Sequence, residues 1–193
     1  MHALPAAPAP SPRRQLFVGT ALACAAGTTL FGGMTALYFR FRQDALAVDG
    51  AEWKPAASIV PEVATNNMLM SFLAIFVFAQ WAVYASRRNL RTQTALALGL
   101  VGLIGIADIN GQAFVYSQMR LGVNDGPYQT MFYALTGTFV VYLIAGLVFT
   151  FVTAFRFLGG RQHDREIVSA HAMFWYFLGA VYSVLWFVVY VTK

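Results

Sequence analysis

Charge is scarce in this chain. Of 193 residues, 13 are Lys or Arg and 8 are Asp or Glu, 11% together, too few to clothe a soluble domain of this length. Cysteine and histidine are scarcer still. The one cysteine, Cys24, excludes an intramolecular disulfide, and a thiol in an apolar helix packs as a small hydrophobe. The three histidines are His2, His163 and His171. A haem needs axial ligands facing each other across the bilayer, and a copper centre needs several imidazoles or thiolates together. His2 belongs to the N-terminal tail and His163 to the charged loop Arg161–Glu166, while His171 opens the last apolar stretch. On this reading no span interior holds a histidine, and the chain itself binds no haem or copper. His163 beside Asp164 reads as a solvated loop pair, and Met34, Met68, Met70, Met131 and Met173 read as packing residues.

What the chain has in abundance is long apolar sequence: 59% of its residues are hydrophobic and its mean hydropathy is +0.60. Five stretches stand out, near Gln15–Phe39, Met68–Ala85, Thr94–Tyr116, Thr130–Phe155 and Val168–Val191. A helix of about 20 apolar residues matches a hydrocarbon core of roughly 30 Å and satisfies its own backbone hydrogen bonds. The fold class is therefore all-α: an integral membrane bundle of five transmembrane helices over residues 15–193, with no separate globular domain. Residues 1–14, MHALPAAPAPSPRR, are rich in Ala and Pro and read as a disordered cytoplasmic tail. The Arg13-Arg14 pair resembles an export signal only faintly. The apolar stretch behind it runs for about 25 residues without a small-residue cleavage site, so the first span reads as a retained helix.

Orientation follows from the loops. With the N-terminus inside, Arg13, Arg14, Arg87, Arg88, Arg91, Arg156, Arg161 and Arg165 are cytoplasmic. Arg40, Arg42, Lys54, Arg120 and Lys193 fall outside, together with Asp44, Asp49, Glu52, Glu62 and Asp125. Eight basic residues against five favour N-terminus inside and C-terminus outside under the positive-inside rule. These membrane-flanking arginines explain a pI near 9.6. No basic patch interleaved with aromatics points to nucleic acid.

The third stretch is the most polar. Asp108 and Gln112, four residues apart, share one helical face. Asp108 is the one carboxylate inside a span, where an ionised group costs on the order of 3 kcal/mol on insertion scales. Two readings stand. Asp108 and Gln112 form a functional intramembrane polar site, or Asp108 is structural glue bonded to a neighbouring helix, with Gln80 or a Thr as partner. Small residues crowd the first stretch (Ala25-Ala26-Gly27-Thr28-Thr29, then Gly32-Gly33) and recur as Gly99, Gly102 and Gly105 in the third. Such faces let helix backbones approach closely, within the bundle or against a partner.

The order and wording of the segments resemble subunit III of the haem-copper oxidases (cytochrome c oxidase type), in its short five-helix bacterial form. Phe31-Gly32-Gly33-Met34-Thr35-Ala36-Leu37-Tyr38-Phe39 is similar to the family's stretch ending in Tyr-Phe. Thr65–Ser71 followed by Ala82–Arg88 is similar to a helix closed by a basic doublet. Ile104-Gly105, Ile109, Gln112 and Tyr116 fit the next helix. Phe132-Tyr133-Ala134-Leu135-Thr136-Gly137, with Gly146-Leu147 further on, fits the fourth, and Trp175-Tyr176-Phe177 resembles the family's Trp-His-Phe helix. The resemblance covers about 175 residues, everything after the tail.

The departures are specific. Gly27 stands where the resemblance implies a membrane glutamate, Phe139 and Tyr142 where it implies histidines, and Val115 where a glutamate follows Gln112. Trp175-Tyr176-Phe177-Leu178-Gly179 replaces Trp-His-Phe-x-Asp, and Asp108 falls where the family is apolar. The polar network is stripped and the packing skeleton kept. The resemblance then implies an accessory, non-catalytic subunit of a respiratory terminal oxidase in a bacterial cytoplasmic membrane, partnered by catalytic subunit I. Haem and copper would belong to the partner subunits. A lipid-holding cleft is implied as well, with Phe31, Trp81, Phe139 and Trp175 as candidate lining. A quinol oxidase or nitric oxide reductase-type complex is the alternative within the family. A small transporter, with Asp108, Asn110 and Gln112 along a pathway, and a transient assembly factor are the alternatives outside it. The lack of an internal repeat and of further polar span residues disfavours the transporter.

Overall fold

The computed structural model describes residues 14–48, 52–55, 58–123, 125–160 and 165–192. The tail expectation for residues 1–13 and the His163–Asp164 loop pair lie outside them. Among these described residues, five helices are long and apolar enough to cross a membrane: α1 Gln15–Leu46, α2 Glu62–Arg87, α3 Arg91–Met119, α4 Pro127–Leu158 and α5 Arg165–Leu185. The last continues as a π-helical turn and a half, Trp186–Val191. The chain is a multi-pass membrane protein.

Each helix outruns the apolar stretch that announces it. α1 continues past Phe39 to Leu46, and α2 starts at Glu62, ahead of Met68. At 1.5 Å per residue, the 32 residues of α1 and of α4 reach about 48 Å, so both project beyond the hydrocarbon or tilt within it. The ends have local causes. α2 stops where Asn89 takes a left-handed φ of 58°, a conformation that Asn tolerates. α4 begins with Pro127 at its first turn, where a missing N–H costs nothing. It ends at Gly159-Gly160, the second with φ 94°.

α5 is the central helix and α1 the peripheral one. Within their apolar windows, 50% of the last span is buried against 17% of the first. α5 packs against α1, α2 and α4; α3 bridges α2 and α4. The core is aromatic: Tyr38, Phe72, Tyr128, Phe132, Phe139, Trp175 and Tyr182 are all essentially sealed. Met68 and Met131 join that core, whereas Met70 points outward among the exposed apolar side chains.

Two sets of ties hold the ends. At the end carrying Arg14, Glu166 Oε1 of α5 accepts the Phe17 N–H in the first turn of α1 at 2.8 Å, filling an otherwise orphaned donor. Arg165 donates to Asn89 Oδ1 at 3.1 Å, and Arg91 donates to the Leu158 carbonyl at the end of α4. At the opposite end the α1–α2 connection folds back over the bundle. Trp53 Nε1 donates to the Tyr38 hydroxyl at 3.0 Å, and its ring meets Tyr38 and Tyr128 edge-on.

Candidate functional site

Asp108 lies in the interior, with 3% of its surface exposed, and Gln112, one turn on, has 1%. The partner of Asp108 is Ser71 of α2: its Oγ lies 2.6 Å from Asp108 Oδ1 and 2.6 Å from the Met68 carbonyl. Gln80, expected as a partner, is engaged elsewhere and accepts the Tyr176 hydroxyl at 2.9 Å. Gln112 Nε2 reaches the Tyr190 hydroxyl at 3.4 Å. Beside them Tyr116 donates to Thr136 at 3.0 Å, and Tyr182 donates to the Thr65 carbonyl at 3.0 Å. Asp108 and Gln112 thus share one face, as their spacing requires, and that face meets α2 and α5. Asp108 Oδ2 is buried without a partner.

Ser71 closes the Thr65–Ser71 stretch, but nothing there marks it as the partner of Asp108, and nothing marks Tyr190 as a partner either. A hydroxyl three residues after Met68 in an apolar window, and a tyrosine in the last turn of the last span, were the available signals. Tyr190 reaches inward because the backbone there is π-helical. The wider turn rotates Trp186–Val191 relative to an α-helical continuation, a device that recurs at functional sites.

A second polar cluster lies towards the Arg14 end. His171 is fully buried, not at a solvated helix start. The helix begins at Arg165, three residues before the apolar stretch, and this puts His171 in its second turn, facing α4. Trp175 Nε1–H lies 3.0 Å from both Thr150 Oγ1 and His171 Nε2, which are 2.8 Å apart. The imidazole Nε2 is thereby spent on packing partners. Among the described residues no group of three or more His, Cys, Asp or Glu is placed to hold a metal ion.

The four residues considered as cleft lining do not gather in one cleft. Phe139 and Trp175 are sealed in the core, Phe139 edge-on to Phe72 and tilted on Tyr182. Trp81 is half-buried beside Phe78. Phe31 alone borders a groove of about 270 Å³ between α1 and α5, with Thr28, Gly32, Thr35, Phe177 and Val181 among its other walls.

Aromatic rings crowd Gly27 and Gly179, two of the positions where the family resemblance implies carboxylates. A Cβ on Gly27 would stand 2.6 Å from Phe177 and 3.1 Å from Tyr142. A Cβ on Gly179 would collide with Phe76. Tyr142 itself lies against Phe31 and Phe177. At Gly27 and Gly179 the space of a side chain is taken by neighbouring aromatics.

Among the described residues the architecture is an all-helical, multi-pass membrane bundle whose buried hydroxyls return mostly to backbone carbonyls, while Asp108, Gln112 and His171 bond other side chains. The family model described as Cytochrome c oxidase subunit III matches residues 12–193, and the chain belongs to that family. Among its relatives, the probable cytochrome c oxidase subunit 3 of Rickettsia bellii (strain RML369-C) is 30% identical over 139 residues, 68% of this chain and 48% of the relative. Cytochrome c oxidase subunit 3 of Drosophila melanogaster is 26% identical over 149 residues, 73% and 55%. The probable subunit 3 of Rickettsia conorii (strain ATCC VR-613 / Malish 7) is 24% identical over 196 residues, 93% and 68%. The chain spans about half the length of the first two.

Proposed function

We propose that this chain is an accessory, non-catalytic subunit of a respiratory haem-copper terminal oxidase, docked laterally on the catalytic subunit in a bacterial cytoplasmic membrane. The complex would reduce oxygen to water, with haem and copper in the partner subunits. This chain would stabilise the catalytic subunit and perform no redox step. The observation that carries this is the family match across residues 12–193. The filling of Gly27, Gly179 and their surroundings with aromatic rings agrees with a packing role rather than retention of protons for a partner.

On this reading the N-terminus is inside and the C-terminus outside, supported by the surplus of arginine at the Arg14 end. The groove between α1 and α5, with its apolar walls Phe31, Phe177 and Val181, is the candidate seat for a lipid chain, in place of a cleft lined by all four aromatics. Asp108 and Gln112 act in the first place as interhelical glue.

The test is a mild-detergent pull-down of the tagged chain from native membranes, with a reduced-minus-oxidised haem spectrum of the eluate. Stoichiometric haem bands are expected, and the haem type separates the cytochrome c oxidase branch from quinol oxidase and nitric oxide reductase-type complexes. A colourless eluate overturns the reading.

A further inference from the structure

A pocket of about 230 Å³ with mixed polar and apolar walls opens at the Trp53 end, lined by Glu62, Thr65 and Asn66 of α2 and by Trp186, Tyr190 and Val191 of the π-helical turn. It is roomy and polar enough for water. Two of its walls lead inward. Thr65 gives its carbonyl to Tyr182, and Tyr190 takes the Gln112 amide. Asp108 lies one helical turn deeper than Gln112. From the surface the sequence of groups is therefore Glu62, Asn66 and Thr65, then Tyr190 with Gln112, then Asp108. Trp186 Nε1 donates to Asn66 Oδ1 at 2.8 Å and fixes one wall of the mouth.

The hydrogen count at Ser71 bears on what Asp108 is. Its hydroxyl has one hydrogen, yet its oxygen lies 2.6 Å from two oxygens, the Met68 carbonyl and Asp108 Oδ1. One hydrogen cannot point straight at both, and sharing it weakens each bond. A proton on Asp108 resolves it: Oδ1–H donates to Ser71 Oγ, whose own hydrogen donates to Met68. The groups facing Asp108 agree with a neutral acid. α2 offers Ser71, bonded to it, α3 offers Gln112 one turn on, and α5 offers Tyr182, within electrostatic reach; Tyr190, beyond Gln112, belongs to the π-helical turn. None of these is a cation.

We propose that Asp108 is a protonated intramembrane acid that exchanges its proton with the aqueous phase at the Trp53 end, through the Glu62–Asn66 pocket and past Tyr190 and Gln112. In each exchange the carboxyl O–H proton passes to water and another returns from water, so the charge of the chain is unchanged. This goes beyond the packing role proposed above and does not depend on a partner.

The test is infrared spectroscopy of the purified full chain in lipid nanodiscs, transferred into D₂O. The carbonyl band of a protonated carboxylic acid should be present in the wild type and absent in Asp108→Asn, which assigns it. Tyr190→Phe and Asn66→Leu should each slow its deuterium shift by about tenfold, equivalent to roughly 1.4 kcal/mol. Thr153→Val, at the other end of the bundle, should leave the rate unchanged. Should Tyr190→Phe fail to fold, Asn66→Leu alone carries the comparison. A missing Asp108 band, a band that never shifts, or a rate indifferent to the pocket variants overturns the proposal.

Discussion

Gly105 of α3 cedes the space of its side chain to the Trp175 indole of α5: a Cβ there would stand 2.7 Å from that ring and 2.9 Å from Leu147. Gly146 of α4 also borders the indole, with a Cβ position 3.4 Å from Trp175 and 3.0 Å from Leu178. Trp175 cannot swing away, because its N–H is held between Thr150 and His171. Three helices are registered around one fully buried ring.

The first prediction follows. Gly105→Ala should destabilise the bundle by about 1–3 kcal/mol, the range for overpacking a filled interior. Gly99→Ala is the control, since nothing lies within 4 Å of a Cβ at that position, and it should cost nothing. Thermal unfolding in detergent, followed by circular dichroism, separates the two. Equal midpoints would contradict the role given to Trp175.

The second prediction concerns the stripped positions. Gly179→Asp restores the carboxylate that the family resemblance implies, but into space that Phe76 fills, with Phe72 beside it. The variant alone should lower the yield of folded protein, through overpacking and through an added buried charge. Combining it with Phe76→Ala removes the steric part of the loss, so the double variant should fold better than Gly179→Asp. If Gly179→Asp is as stable as the parent, the aromatic filling is not what keeps that carboxylate out.

How much of this was legible beforehand differs by element. The five helices were, because apolar runs of 18 or more residues have one solution in a bilayer. Their ends were not. The apolar run of the last span begins at Val168, yet the helix begins at Arg165, since charged residues extend a helix beyond the hydrocarbon without breaking it. That offset of three residues was enough to hide a buried His171. Asp108 and Gln112 stood out by polarity and shared a face by periodicity. Their partners Ser71 and Tyr190 depend on which helices neighbour one another and on a π-helical turn, and neither leaves a mark in a single sequence. Gly105 was visible as a small residue, but its use as a socket for Trp175 rather than a docking face required the packed bundle.

A third prediction separates the two ways of losing the Asp108 contact. Asp108→Asn keeps a donor towards Ser71 Oγ and adds no charge, so it should fold as the parent does. Ser71→Ala should cost about 0.6 kcal/mol and no more than about 1.7, the average and the maximum measured for interhelical hydrogen bonds in a membrane. Asp108→Leu removes the carboxyl from a site whose other groups remain polar, and should cost at least as much. Unfolding midpoints of the three variants in one detergent give the order. A loss for Asp108→Asn as large as that for Asp108→Leu would show that the native carboxyl does something an amide cannot.

The last prediction addresses the partner. Gly32 and Gly33 of α1 have no atom within 4 Å of where a Cβ would stand, and α1 is the least buried of the five helices. Leucine at both positions therefore has room within the chain, that at Gly32 extending into the α1–α5 groove, and the Gly32→Leu/Gly33→Leu protein should fold with an unchanged unfolding midpoint. Against a closely approaching helix of a catalytic subunit, the two added isobutyl groups would hold the backbones apart and forfeit the contact that small residues permit. Haem co-purification should then be lost while the subunit itself stays in the membrane. Gly19→Leu, on the same helix and equally open, distinguishes a local docking face from a general effect of bulk on α1. If the double variant retains full haem stoichiometry, this face of α1 looks onto lipid, and the docking surface must be sought on the exposed side of α3 or α4.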